Sequence, residues 1–490
     1  MISLVKNELT KIFHKKTLYI ILIVAIGFMI LNLVMTKYFE SSVSNYYGQE
    51  DLSYYNEVLN QLDKNDPYYK ETYISIKTQL ETAKLNQKYN YDTWQWKVVN
   101  ENSDKYIYPM IEAEGTEKYE KAKKDYDTFV QRLENGDWKS FVQAELNDVK
   151  NQIEEIEKQE YTAIGISKDI QLIEPNIKKQ VLEMRLEKDI PYGNDNKNFI
   201  LEQWEQSKRD IANYKENEKT KALTYEEKVS KQNAEAVLSL CEYHLKNNLQ
   251  DEISLVDFNQ RWNLATEADS SLINVFTDFG LFITIAIVVI AGTIISEEFN
   301  KGTIKLLLVR PYKRAKILIA KFIACIVVLF LAYIVTVILQ LIMGGITNGF
   351  GNYIGKAMIY NYKTNAVEEI STIKYLIISG ISVLPQYILI MTLAFSFSVI
   401  FVNSPLAIAL PLLGMMGAEI INELAYHYEK AKFLRFFVTP NWKLDIYLFG
   451  KLPEFEPISL PFSIAICVIY FVVMIATSTF IFKRKEIKNI

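Results

Sequence analysis

The side chains best placed to do chemistry are polar groups inside apolar runs, because a charge is costly to hold in hydrocarbon and is kept where it meets water or a partner. Glu419 and Glu423 stand one helical turn apart near the end of one apolar run, Asp278 lies near the end of another, and Gln340 and Gln386 lie deeper in two more. Such a set could line the outer part of a translocation path. Equally, the acids are close enough to the ends to be hydrated, and the glutamines could bond neighbouring helices. Patterns for catalysis or metal binding are missing. His14, His244 and His427 are scattered along the chain and no H-E-x-x-H occurs. No G-x-S-x-G is present, and Gly355-Lys356 is followed by Ala357 and has Phe350 where a phosphate-binding loop needs glycine. The chain is therefore expected to be no enzyme, with no catalytic, metal-binding or cofactor-binding residues of its own.

The elements that must position these groups follow from hydropathy. Apolar runs occupy residues 18–36, 273–296, 317–345, 375–402, 406–425 and 459–482, each near the roughly 20 residues needed to cross hydrocarbon. An all-α membrane protein with six transmembrane helices is expected: 17–38, 271–296, 317–345, 375–402, 406–425 and 459–482. Residues 40–270 carry 45 acidic and 30 basic side chains, net −15, and the remainder 13 and 24, net +11, which sum to the −4 of the chain. Short basic flanks mark the cytoplasmic side. Here they are Lys6, Lys11, Lys15 and Lys16, then Lys301, Lys305, Arg310, Lys313, Arg314 and Lys316, then Lys483, Arg484, Lys485 and Lys488. Six spans with both termini inside place all three flanks on one side and residues 39–270 outside. The first span has no small-residue cleavage pattern after Leu33–Tyr38 and reads as an uncleaved anchor. Cys325 and Cys467 fall within spans, leaving Cys241 alone outside without a disulfide framework.

Residues 1–16 read as a cytoplasmic amphipathic helix on the inner leaflet, with Ile2, Val5, Leu9, Ile12 and Phe13 on one side. The extracellular domain, 39–270, reads as mainly helical with a coiled-coil pattern. Tyr119, Ala122, Tyr126, Phe129 and Leu133, then Val142, Leu146, Val149, Ile153 and Ile156, step by three and four around the turn Asn135-Gly136-Asp137, which predicts an antiparallel hairpin. Further helices are expected near 71–91, 199–222 and 232–249, with 160–195 a bend or link. Residues 346–374 are expected to be an extracellular loop, 426–458 an aromatic-rich, partly re-entrant segment, and 483–490 a cytoplasmic tail.

The loop 297–316 is short and basic and contains its own apolar turn. Gly302 and Pro311 bracket it, Thr303 is placed to cap a helix of about two turns, and Ile304, Leu307 and Leu308 share one side. An apolar helix facing the cytoplasm calls for a groove on a partner to cover it. Glu298, Gly302, Thr303, Leu306, Leu307, Pro311, Arg314 and then Lys321 in the next span together resemble the signature of ABC-2-type transporter permeases, the membrane subunits of bacterial ABC exporters of the type V kind. The resemblance covers the membrane half alone. It implies that residues 302–310 are a coupling helix seated in an ATP-binding subunit, which would hold the ATP and magnesium. It also implies a second permease copy or sister permease and export of a peptide- or lipid-like substrate, with antimicrobial-peptide export or resistance among the roles of similar permeases. The 230-residue insertion after the first span departs from many family members. A receptor or secretion component of the phage-infection-protein group, without an ATPase, is the alternative. Nothing points to nucleic acid; the expected surroundings are the lipid bilayer of a bacterial cell membrane.

Overall fold

The computed structural model describes residues 1–48, 52–91, 93–158, 167–193, 195–247, 253–256, 261–265, 272, 275–305, 312–348, 355–427, 429–453 and 458–485, and these described residues are 81% helical. The chain divides into two compact units. The first comprises Met1–Leu31, Thr224–Ala236 and Asp251–Ile490, the second Asn32–Leu223 and Val237–Gln250.

Five helices of the first unit are long and apolar enough to cross a membrane: Gly280–Asn300, Arg314–Ile346, Thr372–Phe401, Ser404–Leu424 and Leu460–Arg484. A sixth is reached if α1, Ile2–Phe13, and the first part of α2, Lys16–Gly48, bent by 60° between them, count as one. Gly280–Asn300 is the central one, 72% buried, against 17% for Leu460–Arg484. It is not one continuous helix. A short turn α12, Val275–Asp278, precedes α13, Gly280–Thr293, and α14, Ser296–Asn300, follows after a break. The remaining helices are α15, Arg314–Asn348, α16, Thr372–Phe401, α17, Ser404–His427, and α18, Leu460–Arg484. Their common core includes Ile283, Ile287, Phe322, Leu329, Phe395 and Val399.

The stretch expected as a plain loop before α16 instead carries a hairpin. β3, Lys356–Asn361, pairs antiparallel with β4, Ala366–Ser371, and extends a sheet begun by β1, Ile253–Val256, and β2, Arg261–Ala265. Ala357, Ile359 and Ile370 are buried in a small cluster with Tyr375, and Asn365 takes the left-handed backbone (φ 50°) that a tight turn needs. The aromatic-rich segment forms two 3-10 stretches, Glu429–Phe436 and Leu444–Gly450.

The second unit is built from α3 Leu52–Gln61, α4 Tyr69–Asn86, α5 Trp94–Glu101, α6 Tyr108–Glu112, α7 Tyr119–Glu134, α8 Trp138–Lys158, α9 Lys168–Lys188, α10 Asn196–Thr220 and the last part of α11, Tyr225–Asn247. Gly136 takes the turn between α7 and α8 with φ 72°. The two helices do not lie along each other as an extended hairpin. α8 packs mainly along α9, while Phe129 and Leu133 of α7 turn into the core shared with Ile107 and Ile111. The segment expected as a bend holds α9, whose start is capped by Ser167 (Ile170 N to Oγ, 3.4 Å); Pro175, eighth in the helix, supplies no amide to it, and α9 nevertheless continues to Lys188.

Candidate functional site

On α1, Leu4, Glu8 and Ile12 recur every fourth residue and are buried together. Of the stripe expected to lie on a membrane surface, Ile12 is buried and Val5 and Leu9 are half-buried, while Ile2 and Phe13 are exposed; the buried face of α1, which packs on α15, contains an acid. A buried carboxylate needs a partner. Lys321, in the second turn of α15 with its side chain 1% exposed, places Nζ 2.7 Å from Glu8 Oε2 and 2.9 Å from Glu298 Oε1. Lys11 Nζ lies 3.1 Å from Glu8 Oε1 and 2.9 Å from the same Glu298 oxygen. Two lysines and two glutamates thus form a neutral set that joins α1, α14 and α15. Beside it Lys15 pairs with Glu297 at 3.2 Å and donates to Thr293 Oγ1 at 2.9 Å, and Lys301 also meets Glu297. Burial alone would push the Glu8 carboxyl up, but Lys321 and Lys11 outweigh it and hold it below the usual carboxylate range. Burial likewise works to lower Lys11, and Glu298 and Glu8 reverse that, raising it.

The break between α13 and α14 lies against this set. Its amides lose their helical acceptors, and in hydrocarbon every such group must be answered from within the protein. Ile295 N and Ser296 N both donate to Ser398 Oγ on α16, at 3.3 and 3.0 Å. Ser296 Oγ donates to Gly292 O at 2.7 Å and lies 2.7 Å from Ser404 Oγ at the start of α17. Lys321 Nζ donates to Ile294 O at 3.3 Å. Gly292 suits the close approach here, since a Cβ would meet the Ala407 carbonyl oxygen at 3.0 Å and the start of α17 would have to give by a few tenths of an ångström. Nearby, Val402 between α16 and α17 has φ 55°, a strained value for a β-branched residue. Two further cations close the same end of the bundle. Arg314 Nη1 donates to Lys483 O and Lys485 O at 3.2 and 3.0 Å. Lys485 Nζ donates to Val399 O and Ile400 O at 2.7 and 3.0 Å, and burial lowers its pKa.

Of the loop residues expected from sequence, Glu298 and Arg314 are therefore anchors. Gly302 has φ 68° and its amide reaches Phe299 O at 3.0 Å, ending α14 with the left-handed residue that glycine favours. Thr303, expected to cap the helix ahead, donates its hydroxyl back to Glu298 O at 3.3 Å, and beyond residue 305 that helix lies outside the described residues. Leu306, Leu307 and Pro311 lie outside the described residues. Gln340 is buried, Gln386 half-buried and Glu423 exposed, three unlike environments. The side chains of Asp278 and Glu419 are outside the described set. Sequence reasoning missed Glu8, Lys11 and Ser398. Glu8 was legible, as an acid on the same face as Leu4 and Ile12; Ser398, one serine in an apolar run, carried no signal.

No solved structure matches this chain. Among curated proteins it is similar to the uncharacterized protein YhcI of Bacillus subtilis (strain 168), 27% identical over 270 residues that make up 54% of this chain and 85% of the relative. It is also similar to the uncharacterized membrane protein YdbK of the same organism, 28% identical over 201 residues, 41% of this chain and 76% of that one. A family model described as a protein of unknown function, DUF2705, matches residues 241–488, just over half the chain, and takes in Glu298, Lys321, Ser398 and Ser404. With its run of apolar helices and its likeness to a membrane protein, this is a multi-pass membrane protein, and it belongs to the DUF2705 family.

Proposed function

We propose that this chain is the permease subunit of an ATP-driven exporter of the ABC-2 type. In this reading six helices span a bacterial cell membrane, with both termini in the cytoplasm and residues 39–270 outside. The observation that carries it is the pairing of Glu298 with Lys321 and Lys11, which ties the start of the loop to α1 and α15 through buried charges. A force applied to the loop after Asn300 is then delivered to three helices together rather than dissipated in a tether. ATP and magnesium belong to a separate ATP-binding subunit, and two permeases, identical or sister chains, complete the assembly. That partner must bind two conformations of the permease with different affinity, or nothing is coupled. A peptide- or lipid-like cargo remains the reading for the substrate, with the outer helical unit gating or recognising it and Asp278, Gln340, Gln386, Glu419 and Glu423 as the residues to test along its path.

A specific observation favours a second reading. The unit made of Asn32–Leu223 and Val237–Gln250 has a core of its own, with Val99, Ile107, Phe129, Leu133 and Val142 all at most 1% exposed. A surface receptor of the phage-infection-protein kind would use such a body without any ATPase. Leu307→Asp separates the two. The exporter reading expects normal insertion but loss of an associated ATP-binding subunit, and unchanged association and transport in this variant would remove the coupling-helix assignment.

A further inference from the structure

A break in the most enclosed helix of the bundle is costly to keep unless it is used. Three neighbouring helices contribute the groups that make this one tolerable: Ser398 from α16 takes two amides, Lys321 from α15 takes the Ile294 carbonyl, and Ser404 from α17 holds Ser296. All of these bonds go to side chains, which can exchange partners one at a time, whereas a continuous helix would have to lose backbone bonds in register. The segment beyond the break is short, five residues of α14, and ends at Gly302, whose φ of 68° and open surroundings let the chain turn away without obstruction. On the near side Gly292 lets the start of α17 lie against the backbone, so α13 is held firmly up to the break.

We infer that Ile294–Ile295 is a hinge at which α14 swings as a lever against a fixed α13, with Ser398 and Ser404 as the clasp of the closed position and Lys321 as the latch between the lever and α1. In the closed position Lys321 holds Glu298 and the Ile294 carbonyl at once, so the lever cannot move without changing the ion pairs of α1. Swinging α14 breaks the Ser398 and Ser404 bonds and leaves α13 in place. Ser398 and Ser404 are positioning residues. The purpose of the hinge rests on the exporter reading, since a lever at the loop is useful where a partner pushes; the opening itself does not depend on that reading.

The test uses the full chain in lipid nanodiscs and measures amide hydrogen exchange over 295–300 and over 281–292. Ser398→Ala should raise exchange over 295–300 by about tenfold, the worth of an ordinary hydrogen bond, and leave 281–292 as it was. A Ser296→Cys, Ser404→Cys pair, at positions whose hydroxyls lie 2.7 Å apart, should lower exchange over 295–300 at least tenfold on oxidation relative to the same protein reduced. Equal acceleration of both segments by Ser398→Ala, or an oxidised pair that exchanges like the reduced one, would overturn the hinge. A third arm adds an ATP-binding subunit that co-purifies with the chain and reads its ATP hydrolysis. Loss of hydrolysis on oxidation and recovery on reduction supports the lever as the coupling element, and unchanged hydrolysis overturns that role while leaving the exporter reading intact. Failure of any ATP-binding subunit to associate overturns the exporter reading and the purpose of the hinge, with the exchange result still standing on its own.

Discussion

Replacing Lys321 by methionine keeps the length and apolar stem of the side chain and removes its charge. The loss falls on two carboxylates. Glu8 and Glu298 would be left sharing Lys11, whose side chain is 45% exposed, and the Ile294 carbonyl would lose its donor. Breaking a buried pair by removing one partner costs about 3–5 kcal/mol, mostly from the charge left behind. At roughly 2–4 °C per kcal/mol for a body of this size, the membrane unit should melt about 10 °C lower. Cys325 reports the locality, being buried one turn from Lys321 on the same helix. With Cys241 and Cys467 changed to serine, the temperature at which Cys325 becomes open to a maleimide gives the midpoint. Adding Glu8→Gln to Lys321→Met removes one of the stranded charges and should recover a good part of the loss. A midpoint within about 2 °C of the parent, or a double variant no better than the single one, would refute the claim that this set is buried and mutually dependent.

His244 on α11 is buried, and burial lowers its pKa from 6.5 to about 4. The unfolded chain therefore binds the proton first, so the contribution of the neutral ring is complete above pH 6.5 and is lost as pH falls towards 4, on the order of 3 kcal/mol in all. Melting followed by labelling of Cys241 should show this fall, and His244→Leu should remove that share of it. Phe129→Ala should cost the helical unit about 3–5 kcal/mol in denaturant unfolding, since the ring is 1% exposed and stacks on Tyr106 with centroids 4.7 Å apart. Gly302→Val should leave the Cys325 midpoint unchanged, because nothing surrounds the position, yet alter the loop, because φ 68° is strained for valine; a lowered midpoint would place Gly302 in the bundle core instead.

How much of this was legible depended on whether the signal was local. Long apolar runs have no competing solution, so the helices containing Lys321, Gln386 and Cys467 fall within a few residues of where hydropathy puts them. In the loop, Gly302 and Arg314 were legible by type, as a helix breaker and as part of a basic flank, whereas Glu298 was singled out only by the resemblance to ABC-2-type permeases. What joins them was not legible. Lys11 read as one member of a basic cytoplasmic flank until Glu298, 287 residues away, was brought beside it. The break after Thr293 was hidden because Ile294 and Ile295 are as apolar as their neighbours and the groups that permit it sit on other helices. The β3–β4 hairpin was missed for another reason: Lys356–Asn361 is short, and its partner strands include one nearly a hundred residues earlier. Strand pairing of that range leaves little trace in sequence. The helix partner chosen by α8 was equally unreadable, since its apolar face fits α9 as well as α7.

The proposed function has this chain hand the work of an ATP-binding subunit to a set of membrane helices. It is tested most directly by tagging the full chain, extracting it gently from its own membrane and measuring what accompanies it and whether that material hydrolyses ATP. An ATP-binding subunit is expected in equal amount, with hydrolysis that falls in Leu307→Asp. Recovery of the chain alone, or with cell-wall and secretion proteins and no ATP hydrolysis, would contradict it.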